Sequence, residues 1–222
     1  MKLLIIIFLI FGNAFGIEND WSLKGGLGVN FQTLNGENYS NDNLFGISGN
    51  TSFGYRFTNF SISCASYISV GHVDNIIFKV NDQVHGYSES TYGSFNLMIL
   101  FKYYSNIDLF KKYQLYFSLG PGISLQTFWP EESSVMQGFI GGDEKLSLET
   151  TGIFGTIGME ERTLFKEELG KFLEIMWGLN KANKASLVDI EDSKTTEIIK
   201  TDTNSSNFKN FIILINFGIT FF

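Results

Sequence analysis

The chain has 222 residues, 44% apolar, 16% aromatic and 18% charged, and its 16 Lys+Arg against 23 Asp+Glu give a formal net charge of -7. That length holds one domain or two; an acidic balance without a basic block argues against nucleic acid as the main partner, and the apolar content is too high for a disordered chain. The 23 Phe residues are conspicuous in a chain whose mean hydropathy is only +0.06.

The first sixteen residues read as a cleaved export signal. Met1-Lys2 supplies a short positive start, Leu3 to Phe11 is an unbroken apolar run, and Ala14-Phe15-Gly16 puts small residues where a signal peptidase reads. Residues 1-16 are therefore expected to be removed, leaving 17-222 as one domain. The apolar run falls well short of the ~20 residues needed for a spanning helix. No Cys follows the cleavage site, which excludes a lipid-anchored product. Cys64 is the only cysteine and His72 and His85 the only histidines. No disulfide framework and no Cys/His zinc site are expected, and no cofactor.

From Trp21 onward a period of two dominates, the mark of strands with two unlike faces. Trp21, Leu23, Leu27, Val29 and Phe31 interleave with Ser22, Lys24, Gly26, Gly28 and Asn30. The pattern returns over 45-57, 60-70, 94-103 and 114-126, less cleanly over 151-160 and 173-179, and strongly over 211-222. Eight strands result. Between Met159 and Trp177 the spacing of Leu164, Phe165, Leu169, Phe172, Leu173 and Met176 also suits a helix. Gly170 weakens that reading by about 1 kcal/mol, and a turn followed by a strand keeps the strand number even.

The connections alternate in size. Thr58-Asn59, Ser105-Lys112 and Arg162-Lys171 are short; Gln32-Asn43, Gly71-Thr91, Trp129-Ser147 and Asn180-Asn207 are long and polar. An up-and-down barrel in an outer membrane has this arrangement, with long loops outside and short turns facing the periplasm. One face carries Phe, Leu, Ile and Val; the other carries Gly, Ser, Asn and Thr, too small and polar for a well-solvated surface. A bilayer assigns the greasy face outward and a packed polar face inward. The expected fold is all-β: an eight-stranded antiparallel up-and-down transmembrane β-barrel.

The signal, the stretch LYFSLGPGIS at 115-124 and the final strand NFIILINFGITFF ending in Phe222 resemble the small outer-membrane barrels of the OmpA transmembrane domain, OmpX and OmpW group. The resemblance is architectural and covers about residues 20-222. It implies an outer-membrane location and a C-terminal aromatic signal, Phe221 and Phe222, read by the barrel-insertion machinery. The chain departs from the family pattern by one place, because Phe221 rather than Phe222 shares a face with Phe211 to Ile219.

Five charges fall on the inward face: Lys24, Arg56, Lys102, Glu160 and Glu174. Buried charges must be paired, so these are expected to form a network toward the periplasmic half of the lumen. It acts as a plug or, alternatively, as the gate of a narrow pore. Trp21, Phe57, Phe60 and Tyr103 near the periplasmic strand ends, with Phe31, Phe45, Tyr92, Trp129 and Trp177 near the outer ends, are expected to form aromatic girdles at the two headgroup boundaries. His72, Asp74 and His85, near Ser88 and Ser90, are read as solvated loop residues rather than a rim active site; a triad is defined by geometry, and no catalytic residue is assigned. The expected function is an outer-membrane anchor acting through its outer loops as a structural or surface-interaction protein. The alternative is a narrow pore for small or hydrophobic solutes, and a lipid- or peptide-modifying enzyme ranks last. The expected partners are outer-membrane lipid, the insertion machinery and an extracellular ligand at the loops, with no nucleic acid and a monomeric chain.

Overall fold

The computed structural model describes residues 20-36, 39-41, 43-80, 83-109, 112-130, 144-161, 169-189, 195-199 and 209-221. The export signal at 1-16 and Phe222 lie outside the described residues. Within them the chain forms ten antiparallel strands: β1 (Asp20–Gly36), β2 (Tyr39–Asn41), β3 (Leu44–Phe57), β4 (Phe60–Val80), β5 (Gln83–Leu109), β6 (Tyr113–Pro130), β7 (Glu144–Glu161), β8 (Leu169–Asp189), β9 (Thr195–Ile199) and β10 (Lys209–Phe221). Eight of these are the staves of a closed barrel, running β1-β3-β4-β5-β6-β7-β8-β10 and back to β1. Closure pairs Leu23 with Phe221, so no backbone edge is left to face lipid. The short β2 and β9 extend the wall at the long-loop end, β2 against β1 and β4 and β9 against β8.

Accessibility separates the two faces along each stave. Leu27, Ile47 and Phe217 are 66%, 70% and 62% exposed, while Asn30, Ser48 and Asn216 beside them are buried. An exposed surface of Phe, Leu and Ile wrapping a β-barrel is stable only against lipid. Ten residues separate Trp21 from Phe31 on β1; at ~3.3 Å per residue and a strand tilt of ~40° they rise ~25 Å, the height of an outer-membrane apolar band.

The ladder runs past that band. β4 continues to Val80 and β5 resumes at Gln83, so Gly71-Thr91, read above as a polar loop, is a protruding hairpin. Strand pairing needs only backbone N–H and C=O groups, and a polar side chain in water does nothing to interrupt it. The same extension carries β8 to Asp189 and β5 to Leu109. The helical alternative for 169-177 is overturned, because β8 pairs β7 and β10 throughout that stretch; the sheet supplies partners that an isolated propensity cannot see. Residues 162-168 lie outside the described residues.

Among the described residues the register shifts on β5 between Tyr104 and Asp108, on β8 between Ala185 and Ser186, and at two asparagine bulges. Asn75, at φ 51°, is skipped between the pairs Asp74–Glu89 and Ile76–Tyr87. Asn183 is skipped between Thr150–Ala182 and Glu149–Lys184. Each adds one residue to its strand and exchanges the faces beyond it.

Candidate functional site

Small inward residues make room for large ones, and together they fill the barrel. A Cβ added at Gly158 would lie 2.5 Å from the Tyr116 ring, one at Gly122 2.7 Å from the Phe154 ring, and one at Gly178 2.8 Å from the same ring. The interior of an eight-stranded barrel is just wide enough for its own side chains, and here glycines on one stave seat aromatic rings from the next.

At the end near the chain termini, Arg56 donates through Nε to the Thr58 carbonyl and through Nη2 to Gln114 Oε1, both at 2.8 Å. Its guanidinium lies 3.9 Å from the Tyr104 ring centroid. One step deeper, Lys24 Nζ meets Glu160 Oε2 at 2.5 Å, with both side chains buried. The same ammonium sits 4.5 Å from the Tyr116 ring centroid and 5.2 Å from that of Phe172. Tyr104 also donates to Glu160, at 3.4 Å. Glu174 accepts three hydrogen bonds, from the hydroxyls of Tyr67 and Tyr116 at 2.5 Å each and from Asn50 Nδ2 at 3.2 Å. Lys102 is buried with its Nζ 5.3 Å from the Tyr116 ring centroid. Tyr116 thus touches both lysines and one carboxylate, and it stands at the centre of the group.

Above this layer the lumen turns apolar, with Met98, Leu100, Phe154, Met176, Ile212 and Leu214 in one cluster. A polar layer follows: Gln126 donates to Gln32 Oε1 at 2.7 Å, and Asn30 donates to the Tyr92 hydroxyl at 3.0 Å. A second apolar cluster, including Leu44, Val73, Ile76, Phe128, Leu146 and Leu148, closes the long-loop end. The interior was expected to be polar throughout. It alternates polar and apolar layers instead, because long side chains from facing staves must fill the axis and Leu, Met and Phe do so without needing hydrogen-bond partners.

Of the residues expected in girdles, Trp21, Phe31, Phe45, Phe60, Tyr103 and Trp129 are exposed on the outer face, and Phe57 and Trp177 are half-buried there. Trp21 stacks on Phe53 at 4.9 Å, Phe60 packs on Tyr103 at 5.2 Å and Phe31 on Phe45 at 5.2 Å. Tyr92 is the exception and corrects the expectation. It is 0% exposed, points into the lumen and packs against Phe128. Its parity with Ser94, Asn96 and Met98 already placed it on the inward face; position near a strand end was the wrong guide. The inward tyrosines 67, 104 and 116 and Asn50, which were not singled out, carry the same parity signal. Phe221 is exposed in phase with Ile219 and Phe217.

His72 Nε2 and Asp74 Oδ1 lie 3.0 Å apart on the outer face of β4, both well exposed. Ser90 is buried on the opposite face of the sheet. The side chains of His85 and Ser88 lie outside what the structure describes. Among the described residues no group of three or more His, Cys, Asp or Glu side chains is placed to hold a metal.

Neither a protein-family profile nor a curated relative matches the chain. Solved structures do match its fold. The outer membrane protein OprG from Pseudomonas aeruginosa aligns over 91% of this chain and 94% of its own, at 13% identity and a TM-score of 0.50. Neisserial surface protein A aligns over 92% and 99%, at 8% identity and 0.52. The outer membrane protease OmpT from Escherichia coli aligns over 94% and 98%, at 10% identity and 0.50. At such identities the likeness is one of architecture: this chain has the fold of small outer-membrane β-barrels.

Proposed function

We propose that this protein is an integral outer-membrane protein in which the barrel is a closed anchor and the extramembrane hairpin and loops engage an extracellular ligand. The observation that carries this reading is the filled lumen. Inward side chains from the Lys24–Glu160 pair up to Leu44 and Phe128 are almost wholly inaccessible. By contrast the β4–β5 hairpin rises beyond the row Phe45, His72, Thr91 and Trp129. A pore needs a continuous polar path, and two apolar layers interrupt it.

The five lumen charges serve in this reading as a plug that ties β1, β3, β5, β7 and β8 together. Breaking a buried pair leaves one charge uncompensated, a cost of about 3–5 kcal/mol. Phe221 and Phe222 serve as the insertion signal, and the folded barrel acts as a monomer. No enzymatic role is assigned to His72 and Asp74, since the sheet itself stands between them and the Ser90 hydroxyl. Planar-bilayer recordings of the refolded protein provide the test: electrically silent bilayers are expected. Discrete conductance steps, enlarged by Arg56→Ala or Glu174→Ala, would replace the anchor with a gated pore.

A further inference from the structure

Beyond the outer headgroup boundary the wall changes character on both faces. At membrane depth the staves turn apolar side chains outward, with polar and small ones among the inward set, as at Ile47 and Ser48 on β3. A few residues further out the same staves carry the reverse. Thr33, Asn43, Asp74, Glu89, Glu149 and Lys181 are exposed on the outer face, while Val73, Tyr92, Leu146 and Leu148 stand inside at 2% exposure or less. Both asparagine bulges serve this interior. Past Val73, strict alternation would turn Asn75 inward and Ile76 out; skipping Asn75 leaves it exposed and brings Ile76 in, fully buried. Past Ala182, strict alternation would turn Ala185 out; skipping Asn183 buries it instead, opposite Leu148. Ile76 and Ala185 thereby join one apolar cluster with Leu44, Tyr92, Phe128 and Leu146, although β4 and β8 face each other across the barrel.

We propose that the wall above the outer headgroup boundary is a water-soluble β-barrel cap, held by an apolar core of its own rather than by the bilayer, and that it presents the extracellular surface preformed. A polar outer face around an apolar interior is the arrangement of a barrel in water. The reason lies in the solvent. At membrane depth an apolar interior gains little, because lipid outside is as apolar as the side chains within. Above the membrane the wall stands in water, and each Å² of apolar surface it buries contributes to stability. The two bulges interrupt the regular ladder on opposite staves, and each places an apolar residue in the same core. The short strands β2 and β9 add backbone pairs to the wall at that level, β2 against β1 and β4 and β9 against β8. An extracellular ligand docking on such a cap meets fixed side chains, without the cost of ordering a loop.

The cap rests on the anchored-barrel reading, and a shift in gel migration on boiling reports separately that the membrane barrel has formed. Hydrogen exchange of the protein refolded into lipid vesicles, followed by mass spectrometry, tests the cap. Amides of 73-80, 84-92 and 145-150 should exchange at least roughly a hundredfold more slowly than in unstructured peptide. Leu148→Ala should lower that protection roughly thirtyfold or more, the low end for a cavity at a buried leucine. The protection of 23-31 and 211-219 and the gel shift should stay as they were. Deleting Asn75, which turns Ile76 out, should act in the same way on the hairpin, whereas Leu27→Ala on the lipid-facing surface should leave the cap protected. Cap amides that exchange like free peptide in the unaltered protein, with the gel shift intact, would overturn the cap. So would equal losses of protection in cap and membrane staves after Leu148→Ala, which would make them one cooperative unit without a separate core. A missing gel shift in the unaltered protein would sink the barrel reading itself, and the cap with it.

Discussion

Gly158→Ala and Gly25→Ala make the same chemical change on opposite faces of one barrel, and the structure separates their outcomes. A Cβ at Gly25 meets nothing within 4 Å. A Cβ at Gly158 lies 2.5 Å from Tyr116 Cζ, 2.6 Å from its hydroxyl and 2.8 Å from Cε1. Ordinary contact would require the ring to retreat by about 1 Å. It has nowhere to go, because Tyr116 is fully buried, with Tyr104 at 5.6 Å and the Lys24 ammonium at 4.5 Å from its ring. Retreat also breaks its 2.5 Å hydrogen bond to Glu174. Overpacking costs about 1–3 kcal/mol and a hydrogen bond to a charged group about 1.5–3, against a gain of about 0.5–1 for replacing a strand glycine. Gly158→Ala should therefore lose about 2–5 kcal/mol, and Gly25→Ala should be neutral or slightly stabilising. Urea unfolding of the protein refolded into lipid vesicles, followed by tryptophan fluorescence, measures both. A double substitution with Tyr116→Val should recover part of the Gly158→Ala loss. Equal effects at the two glycines, or no coupling to residue 116, would refute the packed lumen.

Four further outcomes follow from named contacts. Tyr92→Ala should cost about 3–5 kcal/mol as a cavity in the outer seal, whereas a girdle tyrosine facing lipid would cost far less; the same unfolding assay distinguishes them. Glu174→Gln removes the charge that Tyr67, Tyr116 and Asn50 bond, and should destabilise the barrel by about 1–3 kcal/mol while bilayers stay electrically silent. Thr58 holds a left-handed φ of 51° in the β3–β4 turn, an unfavourable setting for a β-branched residue, so Thr58→Gly should raise stability by about 1 kcal/mol in urea. Cys64 is exposed on the lipid-facing side between Phe53 and Ile99; it should resist a water-soluble maleimide in vesicles and react once the barrel is unfolded.

Much of the fold was legible in the period of two, since the faces of a strand alternate whatever it pairs with. Leu27, Ile47 and Phe217 declared a lipid-facing surface, and Lys24, Arg56, Lys102, Glu160 and Glu174 declared the inward parity they have in the structure. The abundance of Phe is explained on the same ground, because among the Phe side chains the structure describes most lie on the outer face. Helical spacing over 159-177 competed with the turn-and-strand reading that the structure bears out over 169-177, since periodicity in a short apolar run does not distinguish a helix from a buried strand until pairing partners are known.

What only the tertiary structure decided is which inward residues meet and where alternation fails. Lys24 and Glu160 are 136 residues apart and Asn50 and Glu174 are 124 apart; closure of the barrel and the stagger of its register bring them together, and neither is encoded locally. Tyr116 became the centre of the charge cluster because Gly158 on the neighbouring stave leaves room for its ring. The bulges at Asn75 and Asn183 have no local signature beyond the asparagine itself, which at Asn75 takes a left-handed φ of 51°. The consequence of the Asn183 bulge, turning Lys184 to the exposed face rather than into the lumen, follows from a count of paired residues that a single strand does not contain.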